Sequence, residues 1–227
     1  MKFGLVFFLF FWANLGISNS FSSNTIMYSD RYEIYHSINF GENPVDQQVF
    51  NYAFKGYFNL LDTGKLKKDN LLSVIDYSKH SVEKRLWVMD IQKRQLLFNE
   101  WVSHGKNTGN ALANKFSNTV NSKQSSIGFF VTGKTYNGKH KYSLKLHGME
   151  PGYNSNAFKR GIVIHGADYV SNDFIQRNNR LGRSYGCPAI RQEIKYDLIS
   201  TIEDGSCLFS YFPAQNYFSK SSLLQAS

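Results

Sequence analysis

The alternation of apolar and polar positions divides the chain into three stretches. Residues 3–12 are an almost unbroken apolar run, FGLVFFLFFW, behind a single Lys2, and the small or polar residues Asn14, Gly16, Ser18, Asn19 and Ser20 follow. A positive start, a short apolar middle and small residues at a cut are the layout of a secretory signal peptide. Ser18 and Ser20 take the small-residue positions for cleavage before Phe21. The run falls short of the roughly 20 apolar residues that span a bilayer. Cleavage and export to the periplasm or cell envelope are therefore expected. No later stretch approaches spanning length, so no integral membrane segment is expected after cleavage. The division expected is 1–20 as signal peptide, 21–64 as a polar lead-in with a helix, and 65–227 as the main domain.

In the second stretch, Asn43-Pro44 reads as a helix start, with Asn as cap and Pro in the first turn. Val45, Val49, Tyr52, Ala53, Phe54 and Phe58 follow at helical spacing, and Gly64 ends the pattern. Short apolar runs then alternate with turn signals. Residues 71–77, 86–91, 95–102, 128–132, 142–146, 161–164 and 207–212 read as strands, and Gly133 and Asn137-Gly138 read as turns. Residues 191–203, with Ile194, Leu198, Ile199 and Ile202 in step, read as a late helix. The fold class is mainly β: a β-sandwich or partly closed barrel, with a short N-terminal helical segment and a late helix.

Composition changes this picture in two ways. With 42% apolar and 16% aromatic residues the chain can bury a core, which excludes a disordered protein. Two cysteines cannot staple a disulfide scaffold or build a four-thiolate zinc site. The charge of +9, from 26 basic against 17 acidic residues, points to acidic partners without choosing among nucleic acid, anionic membrane and acidic polymer. Lys65, Lys67 and Lys68 are the densest basic run; it is short and reads as a solvated face, so no nucleic acid is expected. His104, His140 and His147 lie 36 and 7 residues apart and match no short zinc motif. No metal and no cofactor are expected.

The chemistry concentrates in residues 161–190, GIVIHGADYVSNDFIQRNNRLGRSYGCPAI. An apolar strand delivers His165 at its end, followed at once by Gly166. Cys187 comes 22 residues after His165, inside Arg183-Ser184-Tyr185-Gly186-Cys187-Pro188. Gly186 permits a tight turn and Pro188 restricts the backbone of Cys187. A thiol on a stiff turn with a histidine on a strand end suits acyl transfer. The imidazole lowers the effective pKa of the thiol and takes its proton, and N–H groups around the turn can hold an oxyanion. On these residues alone the bland readings stand beside it: a small buried hydrophobe for Cys187 and a satisfied strand-end residue for His165. Cys207, in an apolar run, reads as a buried free thiol over a partner for Cys187.

This segment resembles the L,D-transpeptidase catalytic domain of the YkuD type, and more closely its murein subgroup. The likeness continues through Lys84-Arg85-Leu86-Trp87-Val88, His104-Gly105-Lys106-Asn107-Thr108-Gly109, Ser125-Ser126-Ile127-Gly128-Phe129 and Thr132-Gly133-Lys134-Thr135-Tyr136-Asn137-Gly138. Tyr142-Ser143-Leu144, Ile164-His165-Gly166-Ala167-Asp168-Tyr169 and Gly182-Arg183-Ser184 extend it. The resemblance implies an exported enzyme acting on peptidoglycan stem peptides. Cys187 is then the nucleophile and forms a thioester with a stem, and transfer to a second stem gives a 3→3 cross-link. With water as acceptor the product is that of an L,D-carboxypeptidase. His165 is the general base, the Gly166 carbonyl orients it, and the N–H groups of Tyr185, Gly186 and Cys187 form the oxyanion hole. Arg180, Arg183 and Ser184 are candidate substrate contacts, and carbapenems are expected to acylate the thiol. The chain departs from the wider family at Tyr185, where most members carry a second histidine. Tyr185 is read as a pocket wall, and it gives the only support for a non-catalytic peptidoglycan-binding module.

Overall fold

The computed structural model describes Met1 and residues 27–225. The apolar run expected to be a signal peptide lies outside the described residues. The described chain opens with a 3-10 turn at Tyr28–Asp30, then α1 (Arg31–Ser37) and α2 (Gln47–Asp62). There follow β1 (Leu71–Asp76), β2 (Leu86–Asp90), β3 (Gln95–Glu100), β4 (Gly128–Gly138), β5 (Lys141–Gly148), β6 (Val163–Gly166), α3 (Asn172–Asn178), β7 (Ala189–Ile190), α4 (Lys195–Ile202), β8 (Cys207–Tyr211), α5 (Gln215–Phe218) and α6 (Ser222–Gln225).

The eight strands form one sheet in the order β3-β2-β1-β8-β4-β5-β6-β7. β1 with β8 and β6 with β7 are parallel pairs; the other pairs are antiparallel. The chain leaving β3 returns to the far edge. Ser103 N–H donates to the Ala189 carbonyl (2.9 Å) and Ser184 N–H to the His104 carbonyl (3.0 Å). Arg191 grips Glu100 with two hydrogen bonds of 2.9 and 2.7 Å. These links bring the two edges together, and the result is a nearly closed, barrel-like sheet.

Both faces of the sheet are buried, which is why its strands read as apolar runs. Leu72, Val74, Trp87, Met89, Phe129, Cys207 and Phe209 face α2, where Val49, Phe50, Ala53, Phe54, Tyr57 and Leu60 complete one core. The intervening positions Ile75, Leu86, Val88, Phe130 and Leu208 join Leu144, Leu146, Ile164 and the α4 residues Leu198, Ile199 and Ile202 in a second core. Each fully buried Phe or Leu contributes about 1.5–3 kcal/mol. Gly56 lets α2 approach the sheet, since a Cβ there would lie 2.0 Å from the Phe129 ring. Buried Glu150 ties the C-terminal segment down: its carboxylate accepts from Phe129 N–H (2.7 Å), Tyr217 O–H (2.8 Å) and Ser221 O–H.

Several boundaries differ from expectation. Asp46, not Asn43, caps α2; its carboxylate accepts from Gln48 and Val49 N–H at 2.8 and 3.0 Å. Asn43 instead bonds Lys84 O and Asn99, and its carbonyl accepts from Trp87 Nε1. β4 runs through Gly133 to Gly138, because the register shift between Thr132 and Thr135 absorbs Gly133 as an irregularity within the strand. The hairpin turn is Lys139-His140, beyond the Asn-Gly pair. The late helix starts at Lys195, and α3 and the two-residue β7 are elements the apolar pattern does not mark.

Candidate active site

β6 lies between β5 and β7, with His165 opposite Ser143 on one side and Ala189 on the other. Its Nδ1 is 2.9 Å from the Gly166 carbonyl. A carbonyl only accepts, so Nδ1 carries the proton and Nε2 keeps its lone pair. Burial holds the His165 pKa below the usual histidine value, and nearby His140 acts in the same direction against the Gly166 hydrogen bond.

Cys187 enters two residues before β7, which sets it alongside Val163, the β6 residue two before His165. It is 8% exposed. Its Sγ contacts the Gly161 carbonyl at 3.6 Å rather than the His165 ring. Burial pushes the thiol pKa up; the Val163 N–H and the Arg160 guanidinium oppose this without overcoming it. At rest, desolvation of the thiolate outweighs both favourable contacts. Cys207 is fully buried in β8, and both thiols are free. Cys187 is the one with a route to solvent.

The cysteine turn is held from within. Ser184 Oγ donates to the Cys187 carbonyl (2.6 Å) and accepts the Gly186 N–H (3.0 Å). Ser184, a candidate substrate contact, therefore commits its hydroxyl to the turn. Gly186 N–H, a candidate oxyanion donor, is already engaged. Among the described residues no acceptor meets the N–H of Tyr185 or Cys187. Gly186 has φ +124°, and a Cβ there would meet the Gln124 carbonyl at 2.7 Å.

A second loop braces the turn. A Cβ on Gly105 would lie 2.6 Å from the Lys123 carbonyl and 3.0 Å from Gly186 Cα. Ser125 Oγ bridges the two, accepting Gly105 N–H (3.0 Å) and donating to Gly186 O (3.2 Å). Buried Arg85 holds the base of this loop by donating to Val102 O, Lys79 O and His104 Nδ1, the last at 2.8 Å. His104 Nε2 then donates to Asn110 O at 3.1 Å. Burial first, and Arg85 second, pull the His104 pKa down to about 3. His104 is a neutral structural residue, and no metal-ligating cluster occurs among the described residues.

The remaining candidates sit at the rim. Arg183 donates to Lys106 O (3.3 Å) and Gly109 O (3.0 Å), and Arg180 to Leu181 O (2.8 Å). Tyr185 is 65% exposed, with Lys106 and Lys123 ammonium groups 4.8 and 5.4 Å from its ring centroid. Asp168 is exposed and its carbonyl accepts from Ser171 Oγ (3.1 Å) within a turn. Three further residues lie near the pair, of which the sequence points to His140 only as a metal-ligand candidate. Arg160 lies close enough to Cys187 for each to shift the other. Tyr169 has its phenol pushed up to about 12, by burial first and by Cys187 second. His140 stacks on His165. Of the other two, only Tyr169 left a signal, through its place in the His165-Gly166-Ala167-Asp168-Tyr169 run.

A thiol on a glycine turn next to the strand that carries a tautomer-fixed imidazole makes a candidate cysteine-histidine site on a barrel-like sheet. Residues 41–211, well over half of the chain, match the L,D-transpeptidase catalytic domain family. The chain belongs to that family, which acts on peptidoglycan stem peptides in cell-wall cross-linking and remodelling. No curated protein matches the chain. Similar solved structures include an L,D-transpeptidase from Mycobacterium smegmatis, 12% identical over 63% of this chain and 59% of that one, TM-score 0.41. The helical cell shape determining protein Pgp2 from Campylobacter jejuni is 13% identical over 71% and 57%, TM-score 0.41. A fragment of an L,D-transpeptidase from Xylanimonas cellulosilytica is 13% identical over 81% and 92%, TM-score 0.36. The chain thus spans less than two thirds of the first two proteins.

Proposed function

We propose that this chain is an exported L,D-transpeptidase that uses Cys187 as nucleophile and His165 as general base on peptidoglycan stems in the periplasm. The observation that carries the reading is the pairing of a Gly166-anchored His165 on β6 with the Ser184-braced Cys187 turn leading into β7. Thiol and imidazole both rest neutral, because burial disfavours the thiolate and the imidazolium alike. Proton transfer therefore accompanies attack. In this reading Sγ leaves the Gly161 carbonyl for Nε2 when substrate binds, since catalytic hydrogen bonds often form only in the complex.

Nε2 takes the thiol proton as sulfur bonds to the stem carbonyl carbon. The Tyr185 and Cys187 N–H groups receive the oxyanion. The C–N bond breaks, and the terminal D-residue leaves as an amine carrying the proton from Nε2. A thioester remains. The amine of a second stem gives its proton to Nε2, attacks the thioester carbonyl and expels the thiolate, which is reprotonated. The product is a 3→3 cross-link; water in place of the amine gives the carboxypeptidase product. No metal and no cofactor enters these steps.

Incubating the purified protein with sacculi and reading the products by mass spectrometry tests this. Cross-linked 3→3 dimers that vanish in Cys187→Ala are expected. Free tripeptides alone make it a carboxypeptidase. The absence of both, with no carbapenem adduct on Cys187, makes it a binding module.

A further inference from the structure

Lys65 and Lys67, from a run that reads as a solvated face in sequence, line a groove of ≈ 420 Å³ once the chain is folded. Its walls carry Lys65, Lys67, Lys134, Lys145, His147 and Phe158, against one carboxylate, Asp204. The lysines are not equivalent. Lys67 is paired with Asp204 at 3.0 Å. Lys68, beside the groove, donates to Ser200 O and Thr201 O at the end of α4. Among the described residues, no carboxylate lies within salt-bridge distance of Lys65, Lys134 or Lys145. The groove also has an aromatic floor. Phe158, 56% exposed, stacks on His147 with centroids 5.1 Å apart and planes 11° apart. Lys145 is held over the Phe158 and Tyr136 rings at 5.8 and 5.4 Å.

Position gives this feature its meaning. Lys145 is paired with Val163, and Ser143 with His165, across the β5–β6 ladder. Directly paired residues share a face, so positions 143, 145 and 147 lie on the face that carries 163 and 165. The β6–β7 pairing of His165 with Ala189 sets Cys187, two residues earlier, alongside Val163. The groove thus shares β5 with the strand pair that carries His165, and Lys145 in its wall is paired directly with Val163. Unpaired cations beside an exposed aromatic surface suit an extended ligand with spaced carboxylates and apolar side chains.

We propose that this groove is a second binding site, which holds the carboxylate-bearing peptide stems of a peptidoglycan strand while a stem on that material reacts at Cys187. It deepens the transpeptidase reading and rests on it. The site raises the local concentration of acceptor stems without touching the reacting atoms.

The test is co-sedimentation of the full mature chain with purified sacculi. Three proteins are compared: wild type, Cys187→Ala, and a triple variant, Lys65→Gln with Lys134→Gln and Lys145→Gln. Wild type and Cys187→Ala are expected to bind alike. The triple variant is expected to bind about tenfold more weakly, and raised salt to weaken wild type towards it, because exposed charges are screened beyond about 8 Å at 0.15 M. Sacculi stripped of their stems by an amidase are expected to lose wild-type binding to the level of the triple variant. Equal binding by the triple variant overturns the proposal, as does undiminished lysine-dependent binding to bare glycan. The carbapenem adduct on Cys187 keeps the two readings apart. It is expected to form at the wild-type rate in the triple variant. If it fails in the wild type, the catalytic reading falls while sedimentation still scores the groove.

Discussion

His140, in the turn of the β4–β5 hairpin, stacks on His165 with ring centroids 4.1 Å apart and planes inclined by 18°. The hairpin thereby covers one face of the proposed general base and supplies a second imidazole. The tyrosine at position 185 had left His165 as the only imidazole within the motif itself.

The stack has a consequence for pH dependence. Burial and His140 both hold the His165 pKa down, so the neutral base persists further into mild acid. In His140→Ala the cover and the neighbouring imidazole are lost together, and both changes raise the His165 pKa. The acid limb of kcat/KM on a tetrapeptide stem is expected to move to higher pH, with activity near pH 8 less affected than activity near pH 6. A limb that stays in place in the variant removes His140 from any role in tuning the base.

Arg160 should act on the thiol in the opposite sense to burial. Its guanidinium favours the thiolate of Cys187, and it also ties residues 117–126 together through Ser117 O, Ser126 Oγ and Ser122 Oγ. Arg160→Gln is expected to raise the pH midpoint of iodoacetamide alkylation and to slow alkylation at pH 7 severalfold. Arg160→Lys keeps the charge and is expected to restore the midpoint even where the melting temperature remains lower. An unchanged midpoint in Arg160→Gln would show that the charge does not reach the sulfur.

The β runs and the local settings of His165 and Cys187 are legible in sequence for local reasons. Alternating residues such as Leu72 and Val74 against Ile75 serve two cores, so both faces stay apolar. His165, Gly166 and Cys187 sit in short runs whose glycine and proline fix the backbone. What is not legible depends on register or on competition for one atom. His140 meets His165 only because β4 absorbs an irregularity at Gly133 and moves the turn to Lys139-His140. That Gly186 N–H is taken by Ser184 Oγ is a matter of turn geometry within three residues. The lysine groove needs β4, β5 and the segment before β1 assembled together. The cap of α2 is not legible because Asn43-Pro44 imitates a helix start three residues before Asp46 provides one.

Buried His104 makes stability depend on acid. The folded protein resists its protonation until about pH 3, whereas a histidine in the unfolded chain takes a proton near its ordinary value of 6.5. Below that ordinary value the unfolded state binds more protons, so stability falls as pH drops from about 6.5 towards 3. The slope approaches about 1.4 kcal/mol per pH unit for one such group, and His165 adds in the same direction. Urea unfolding of the wild type between pH 7 and pH 4 is expected to show this loss. His104→Gln keeps an acceptor for Arg85 and is expected to be less stable at pH 7 with a shallower pH dependence. Parallel curves for the two proteins would assign the acid sensitivity elsewhere.

Gly105→Ala separates the placement of the cysteine turn from folding as a whole. The new methyl would meet the Lys123 carbonyl at 2.6 Å and Gly186 Cα at 3.0 Å. Both neighbours are backbone, so neither can swing aside as a flexible side chain can. Relief requires the 104–109 loop and the Ser184 to Cys187 turn to separate, which strains the Ser125 bridge between Gly105 N–H and Gly186 O. Overpacking of this kind costs about 1–3 kcal/mol, and the two cores away from the loop are untouched. The variant is expected to remain folded by circular dichroism with a lowered melting temperature. Its Cys187 is expected to be acylated by a carbapenem at least tenfold more slowly, because displacement of the turn moves both the sulfur and the Tyr185 and Cys187 N–H groups. Wild-type acylation in a folded Gly105→Ala protein would show that the 104–109 loop does not position the thiol.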